Sequence, residues 1–278
     1  IVQFFAKNYS LDGQRNIKDP VGMHGVRLEV DAHIVTAASP NLRNLDMALQ
    51  KAEIMPTHHT VSSLAAAEAV LTRQQREAGV GLIDIGAGTT NLIVFEDGEV
   101  QHVAVLPIGG QHITNDLAIG LKTDLDVAEQ VKVEHANLKS DAHKTNALVK
   151  VGDKAHTFQF EDIAMIVESR VEELLEYVDK ELHKIKRSRK LPGGVVLTGG
   201  TAKLPGIDEF AREQLQLPAR LGKLHNVGGL VDTVEDPAYV TVVGLMLLDM
   251  LLLPDLPPVH GRGGQAKGLI GDLFKRFK

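Results

Sequence analysis

The sequence of 278 residues contains no cysteine and no tryptophan, and aromatic residues make up only 4% of it. Without cysteine there is no disulfide framework, no cysteine-ligated zinc site and no thiolate nucleophile. The scarcity of aromatic rings also argues against a platform on which the bases of single-stranded nucleic acid would stack. These absences favour a chain with an aliphatic core, and they permit a reducing compartment.

Positive charge is not in excess, because 30 Lys and Arg residues face 36 Asp and Glu residues, giving a formal net charge of −6. A nucleic-acid-binding domain usually carries net positive charge, so we expect no nucleic-acid partner. Long apolar runs are also lacking: the longest has 15 residues, from Tyr239 to Leu253, and contains Asp249. A membrane-spanning helix needs about 20 apolar residues, so this run predicts a buried core helix.

The spacing of apolar residues predicts an α/β fold. Strands are predicted where such residues alternate or form short continuous runs, and helices where they recur every three or four positions. The predicted strands cover residues 26–30, 33–37, 80–85, 91–95, 100–106 and 194–198. The predicted helices cover residues 41–54, 62–77, 113–120, 161–187 and 208–215. The strands between residues 80 and 106 form an antiparallel meander with a glycine-rich first turn.

Two glycine-rich turns each follow a buried predicted strand. The first has the sequence Asp-Ile-Gly-Ala-Gly-Thr-Thr-Asn over residues 84–91, and the second has Gly-Gly-Thr-Ala over residues 199–202. Glycines let several backbone N–H groups point into one concavity, which is how proteins hold phosphate oxygens. The second turn also precedes a helix, whose N-terminal amides attract anions. Two such turns separated by a long helix predict the walls of a nucleotide cleft.

Three segments, residues 84–91, 107–116 and 193–202, together resemble the actin/heat-shock-chaperone ATPase superfamily. Within it, the sequence resembles the FtsA family of bacterial cell-division proteins over essentially the whole chain. Residues 16–28 resemble part of subdomain 1C, which is peculiar to that family. The resemblance implies an α/β, actin-like (ribonuclease-H-like) fold.

The resemblance also implies which residues bind ATP. In the superfamily the first glycine-rich turn is the second phosphate motif, and the later turn is the adenosine motif. The residues implied at the phosphates are Asp84, Gly86, Ala87, Gly88 and Thr89, those at the nucleoside are Gly199, Gly200 and Thr201, and further adenosine contacts fall on Arg170 and Glu173. Arg170 and Glu173 are equally explained as a solvated charged face of the long helix. Asp84 is the candidate contact for Mg²⁺, because carboxylate oxygens suit that ion. Asn91 stands where the family often has Asp, which argues against fast hydrolysis.

The resemblance divides the chain into subdomains. Residues 1–56 correspond to a partial 1C, residues 57–78 to a helix returning toward 1A, residues 79–120 and 191–253 to 2A, and residues 121–190 to 2B. The superfamily's first phosphate motif has no counterpart here, and the chain begins as if inside a strand without a secretory signal. We therefore expect a fragment that lacks most of subdomain 1A and binds ATP weakly or not at all, although the full-length protein should bind it.

The last segment predicts a membrane contact. Residues 254–267 form a linker rich in proline and glycine, and residues 268–278 follow as an amphipathic helix. Its apolar face comprises Leu269, Ile270, Leu273, Phe274 and Phe277, and its cations include Lys275, Arg276 and Lys278. Such a helix lies among anionic lipid headgroups. The alternative is a helix that packs back onto the body of its own chain, which does not require clustered cations.

Other charged groups give weaker indications. The twelve histidines show no spacing typical of a zinc site. A basic cluster over residues 184–190 ends the long helix, where cations suit the helix dipole. Because that helix lies in subdomain 2B, the family's docking region for the tail of the tubulin-like protein FtsZ, an acidic peptide partner near it is also possible.

The leading functional hypothesis is an actin-like adaptor on the cytoplasmic side of the cell membrane at the division site. It would bind ATP, self-assemble, tether FtsZ filaments to anionic lipid, meet other division proteins, and be at most a slow ATPase. An alternative is a scaffold resembling the pilus-assembly protein PilM, which would bind a membrane-protein tail. A third is an ATPase or sugar kinase of the same fold, although no general base or first phosphate loop is visible.

Overall fold

A computed structural model describes residues 1–139, 146–151, 154–225 and 236–252 of the chain. Three antiparallel strands form a small N-terminal sheet in the order β2-β1-β3, with β1 at Gln3–Leu11, β2 at Gln14–Ile17 and β3 at Leu28–Val35. The prediction of two strands at 26–30 and 33–37 is wrong, because β3 is one strand that pairs with β1 along its whole length. The ladder includes the polar residue Asp31, whose backbone pairs as well as an apolar residue's would.

Three helices follow the small sheet. The predicted helix at 41–54 is confirmed as α1 (Ser39–Lys51). The predicted helix at 62–77 is divided into α2 (Ser62–Val70) and α3 (Arg73–Ala78), because Leu71 is extended. Thr72 then caps α3: its hydroxyl accepts from the Gln75 N–H, and the Gln75 side chain accepts from the Thr72 N–H. A capping box in the sequence therefore marks a new helix start inside what looked like one helix.

The centre of the molecule is a five-stranded mixed sheet in the order β10-β9-β4-β5-β6. Its strands are β4 (Val80–Ile85), β5 (Thr90–Glu96), β6 (Glu99–Leu106), β9 (Val195–Thr198) and β10 (Ala219–Leu221). The predicted antiparallel meander is confirmed in β4, β5 and β6, and β9 runs parallel to β4. Alternate side chains of β4 enter two different cores: Ile83 and Ile85 face one, and Leu82 faces the other.

One face of the central sheet is covered by helices from the middle of the chain. These are α4 (Gly110–Gly120), α5 (Leu125–His135), α6 (Phe160–Lys184) and α7 (Ile207–Leu215), and a hairpin of β7 (Asn146–Val151) and β8 (Lys154–Gln159) lies between α5 and α6. The predicted stripe on α6 is confirmed, since residues such as Val167, Val171 and Val178 are fully buried. This stripe fixes α6 against the sheet.

The other face carries α2 and α8 (Val240–Leu252). These two helices approach so closely that a Cβ added to Gly244 would lie 1.8 Å from the Ala65 carbonyl oxygen. The prediction that this last apolar run is a buried core helix is only half right. Val240 is buried, whereas Val242 and Met246 are 56% and 63% exposed. No helix in the described ranges is long and apolar enough to cross a membrane.

Candidate functional site

The two glycine-rich turns lie at the same end of the central sheet. The first joins β4 to β5 and is closed by a hydrogen bond from the Gly86 N–H to the Thr89 carbonyl, 2.9 Å. The second follows β9 and leads into a 3₁₀ turn over Gly200–Lys203. Because β4 and β9 are parallel neighbours, their carboxyl ends meet at one edge, which is where α/β sheets bind ligands.

The two turns touch one another directly. The Thr201 hydroxyl donates to the Gly86 carbonyl at 3.0 Å. Gly199 has a φ of +90°, and a Cβ there would lie 2.5 Å from the Ile85 carbonyl oxygen and 2.6 Å from an Asp84 carboxylate oxygen. Only glycine satisfies both the backbone angle and the close approach. The structure thus places the two turns side by side, as the sequence led us to expect.

The first turn of α4 completes this edge. The Gly110 N–H donates to the Gly86 carbonyl at 2.9 Å, and the Gln111 N–H donates to the Ala87 carbonyl at 2.8 Å. A Cβ on Gly110 would lie 2.3 Å from the Thr201 hydroxyl oxygen, so α4 packs against both turns without a side chain between them. Ala87, Gly88 and Thr89 remain exposed beside this junction. Their backbone is accessible to a ligand while the ends of the turn are held rigidly.

Asp84 lies at the last part of β4, half-buried between the turns. The Thr241 hydroxyl donates to its Oδ2 at 3.2 Å. Burial raises the pKa of Asp84, and hydrogen bonds from Thr241 and Asn91 offset part of that rise. A half-buried carboxylate at the edge where the two turns meet is a suitable oxygen ligand for Mg²⁺. The described residues contain no group of three or more His, Asp or Glu side chains that could hold a metal on its own.

Arg170 and Glu173 belong to a charged cluster between two helices. Both lie on α6, where Arg170 forms ion pairs with Asp116 of α4 and with Glu173. Within the described part of the chain, neither side chain has a hydrogen bond or ion pair to a residue of either turn. The two residues form a cluster that joins α4 to α6, and the adenosine contacts that the resemblance implies stay a prediction.

Sequence reasoning missed Glu129 and Lys132 of α5, which the structure brings to the edge of the site. The Lys132 ammonium donates to the Gly110 carbonyl at 3.2 Å, to the Thr114 hydroxyl at 2.8 Å and to the Glu129 carboxylate at 2.6 Å. Burial would raise the pKa of Glu129, but hydrogen bonds from Lys132 and Thr114 hold it below its ordinary value. In the sequence the two residues look like an ordinary exposed i, i+3 pair. In the structure the Lys132 side chain is only 17% exposed, which distinguishes the pair from a surface ion pair.

The basic cluster over residues 184–190 lies at and just after the C-terminal end of α6. Arg187 forms an ion pair with Glu96 at 2.6 Å, and Lys184 forms one with Glu181 at 2.6 Å. Lys186, Arg189 and Lys190 are exposed. The cluster is thus partly structural and partly a cationic surface. The linker at 254–267 and the amphipathic segment at 268–278 lie outside the described residues.

These elements define the class of the protein: a mixed sheet between helical layers, with two glycine-rich turns meeting at one edge, is an actin-like ATPase fold. A crystal structure of MreB5 of Spiroplasma citri bound to ADP has the same fold, with a TM-score of 0.62 and 16% identity, over 77% of this chain and 66% of that one.

Within that class, the chain belongs to the FtsA family. The family model described as "Cell division protein FtsA" matches residues 81–244, and that described as "SHS2 domain inserted in FTSA" matches residues 1–36. The cell division protein FtsA of Pseudomonas aeruginosa is 37% identical over 251 residues, which cover 89% of this chain and 60% of that protein. The FtsA of Neisseria meningitidis serogroup B is 34% identical over 283 aligned positions, covering 100% of this chain and 68% of that protein. The chain thus spans somewhat under two thirds of the Pseudomonas relative.

Proposed function

We propose that the protein is a nucleotide-responsive adaptor that tethers FtsZ filaments to the cytoplasmic face of the cell membrane during division. The observation that carries this proposal is the contact between the two glycine-rich turns, with Thr201 bonded to Gly86 in a chain of the FtsA family. Membership of this family also favours the proposal over a PilM-like pilus scaffold. Actin-like folds without these turns would offer no phosphate cradle.

ATP would lie across the edge formed by the two turns. The exposed backbone of Ala87, Gly88 and Thr89 would hold phosphate oxygens, and Gly199 to Thr201 would flank the nucleoside. Asp84 would hold Mg²⁺, which supplies positive charge to neutralise the phosphates. With Asn91 beside Asp84 in place of a second carboxylate, hydrolysis would be slow. Nucleotide would then act mainly on conformation and assembly.

Lys132 and Glu129 would form the wall of the nucleotide site on the α5 side. They lie within hydrogen-bond distance of the first turn of α4, which itself contacts both glycine-rich turns. The half-exposed Glu129 carboxylate offers an acceptor that suits a ribose hydroxyl, and Lys132, whose three N–H donors bind Gly110, Thr114 and Glu129, would hold that carboxylate in place. They would add to Arg170 and Glu173, which the family resemblance implies as adenosine contacts and which we propose as well.

The membrane contact would be made by residues 268–278. If helical, this segment places five large apolar residues on one face, and Lys267, Lys275, Arg276 and Lys278 outnumber Asp272 by three charges. Each cation near an anionic surface contributes about 1 kcal/mol, so a single copy binds reversibly. Self-assembly would strengthen the attachment, because linked copies rebind before they diffuse away.

The FtsZ contact would use the acidic tail of that partner and the cations near the end of α6. Lys186, Arg189 and Lys190 are exposed, and Arg187 is fixed in place by Glu96. Opposite charges across such a surface steer association and make it sensitive to salt. Binding of FtsZ and of lipid at separate places is what a mechanical link requires.

Co-sedimentation with vesicles tests the adaptor function. We expect the chain to pellet with vesicles containing anionic lipid and not with purely zwitterionic vesicles. Deletion of residues 268–278, or the substitution Phe274→Glu, should abolish pelleting, whereas Val242→Ala on the exposed side of α8 should leave it unchanged. Equal pelleting with and without residues 268–278 would contradict the proposal.

A further inference from the structure

The start of α8 is attached to both glycine-rich turns. The Gly199 N–H donates to the Pro237 carbonyl at 3.1 Å, and the Thr198 hydroxyl donates to the same oxygen at 3.2 Å. Lys203 pairs with Asp236 at 2.7 Å. The segment that leads into α8 is therefore joined to the end of β9 and the second turn by two hydrogen bonds and an ion pair.

Thr241 adds a contact of a different kind. It lies in the first turn of α8, and its hydroxyl donates to Oδ2 of Asp84 at 3.2 Å. Asp84 belongs to β4, 157 positions away in sequence, so this bond joins the helix to the strand that leads into the first glycine-rich turn. The other carboxylate oxygen, Oδ1, lies against the backbone of Gly199 at the start of the second turn, so closely that a Cβ there would be 2.6 Å away. Asn91 of β5 also forms a hydrogen bond with this carboxylate.

The two carboxylate oxygens of Asp84 therefore have different neighbours. The bond from Thr241 restrains Oδ2, and Oδ1 lies beside Gly199 at the edge where the turns meet. A carboxylate held in one orientation binds a cation better than one that rotates freely, because less conformational entropy is lost on binding. Second-sphere hydrogen bonds of this type commonly tune metal affinity.

We propose that Thr241 is a positioning residue, which orients Asp84 toward Mg²⁺ and makes the first turn of α8 respond to Mg–ATP. This inference rests on the proposed nucleotide site. The response would reach α2 as well, because the backbones of the two helices are in contact at Gly244 and Ala65. Two helices packed this closely move together.

Titration with ATP, once with Mg²⁺ and once with EDTA, tests the proposal. The ratio of the two dissociation constants measures how much Mg²⁺ contributes, and NMR titration reaches the millimolar range. In Thr241→Val this ratio should fall at least about tenfold, the effect of losing one hydrogen bond to a charged carboxylate. Thr241→Ser keeps the hydroxyl and should retain the ratio. Thr157→Val, at an exposed threonine of β8, is the matched control.

A double mutant separates positioning from general damage. If Thr241 acts through Asp84, Thr241→Val should change the ratio no further in an Asp84→Asn background. Amide hydrogen exchange gives a second readout: Mg–ATP should slow exchange in the first turn of α8 in the wild type and not in Thr241→Val. Urea unfolding of each variant establishes that it is folded.

The outcomes distinguish the inference from the proposed function. If the wild type binds ATP with an effect of Mg²⁺ that Thr241→Val leaves intact, the positioning role is wrong and the nucleotide site stands. If Thr241→Val lowers the ratio equally with and without the Asp84 carboxylate, the role is also wrong. If these 278 residues bind no ATP at millimolar concentration, they form no nucleotide site on their own and the inference about Thr241 fails with it.

Discussion

At the scale of single residues, the site depends on positions where a side chain has no room. Gly199, Gly109 and Gly110 each face an atom closer than 3.0 Å to where a Cβ would lie. Gly199 in addition has a φ of +90°, which L residues rarely adopt. These positions allow two turns and a helix start to meet, which is the basis of the proposed phosphate cradle.

An alanine at Gly199 should therefore lower the free energy of unfolding much more than an alanine at the neighbouring Gly200. Gly199→Ala should lower the free energy of unfolding by at least about 2 kcal/mol, because it combines a strained φ with overlap onto the Ile85 carbonyl. Gly200→Ala, which has no atom within 4 Å of the new Cβ, should change it by less than about 0.5 kcal/mol. Urea unfolding measures both. Equal losses would mean that the turns do not meet as described.

The sequence identifies some residues of the site better than others. Gly199 could be predicted because glycine after a buried strand is a local signal. The sequence alone does not tell which of Lys132 and Arg170 lies beside the first turn of α4, since each is a cation near an acid on an amphipathic helix. In the folded chain Lys132 donates to Gly110 at the start of α4, whereas Arg170 pairs with Asp116 further along that helix. That depends on how α5 and α6 pack on α4, a property that residue spacing does not contain.

At the scale of elements, α6 is held to the sheet by ion pairs as well as by its apolar stripe. Glu181 accepts a hydrogen bond from His102 of β6 at 2.9 Å and another from Lys184 at 2.6 Å. Near the end of the helix, Arg187 donates to both carboxylate oxygens of Glu96 on β5. These bonds fix the rotation of the helix, which the apolar contacts alone leave less well defined.

Glu181 gives this attachment a dependence on pH. Burial by itself would raise the pKa of Glu181, but the hydrogen bonds from Lys184 and His102 outweigh it and the pKa is lowered. A lowered folded-state pKa means that the ionised carboxylate stabilises the fold above its unfolded-state pKa. That stability is lost as pH falls through the folded-state value.

The substitution Glu181→Gln should reveal this contribution. At pH 7 it should destabilise the protein by about 1.5–3 kcal/mol, the net value of a hydrogen bond to a charged group. The difference from wild type should shrink as the pH is lowered through the acidic range in which the carboxylate protonates. Glu176→Gln removes an exposed pair with Lys180 and should cost less than about 0.5 kcal/mol. A difference that stays constant from pH 7 to pH 3 would contradict the assignment.

Most elements could be predicted because their signals are local. The stripe of α6 and the runs in β4 and β5 follow directly from apolar spacing. The exceptions have tertiary causes. The break at Leu71 lets α2 pack on α8 while α3 turns toward β5, and the continuity of β3 comes from its pairing with β1.

At the scale of the whole molecule, the central sheet separates two apolar cores, one under α4 to α7 and one under α2 and α8. The site lies where β4 and β9 end, so it contacts elements from both faces: α4 on one and the start of α8 on the other. A ligand at that edge is positioned to affect both layers. The resemblance of the motifs predicted this architecture, whereas composition and periodicity alone predicted only an α/β chain.

The number of phosphate-binding motifs in the whole chain limits how tightly it can bind ATP. The 278 residues contain the two glycine-rich turns, and from the family resemblance we expect no counterpart of the superfamily's first phosphate motif among them. Each hydrogen bond to a charged group contributes about 1.5–3 kcal/mol, so the loss of two weakens binding by at least about 100-fold. We therefore expect these 278 residues to bind Mg–ATP with a dissociation constant above about 100 μM.

Calorimetry or NMR titration of the chain with Mg–ATP measures this affinity. Thr201→Val removes the hydroxyl that joins the two turns, so it should weaken even this binding, while nonspecific association would be unaffected. Glu176→Gln, far from the turns in sequence and exposed on α6, should leave the affinity unchanged. Low-micromolar affinity in the unmodified chain would mean that the two turns suffice to hold the nucleotide. In that case the second turn and α4 contribute more of the phosphate contact than we infer.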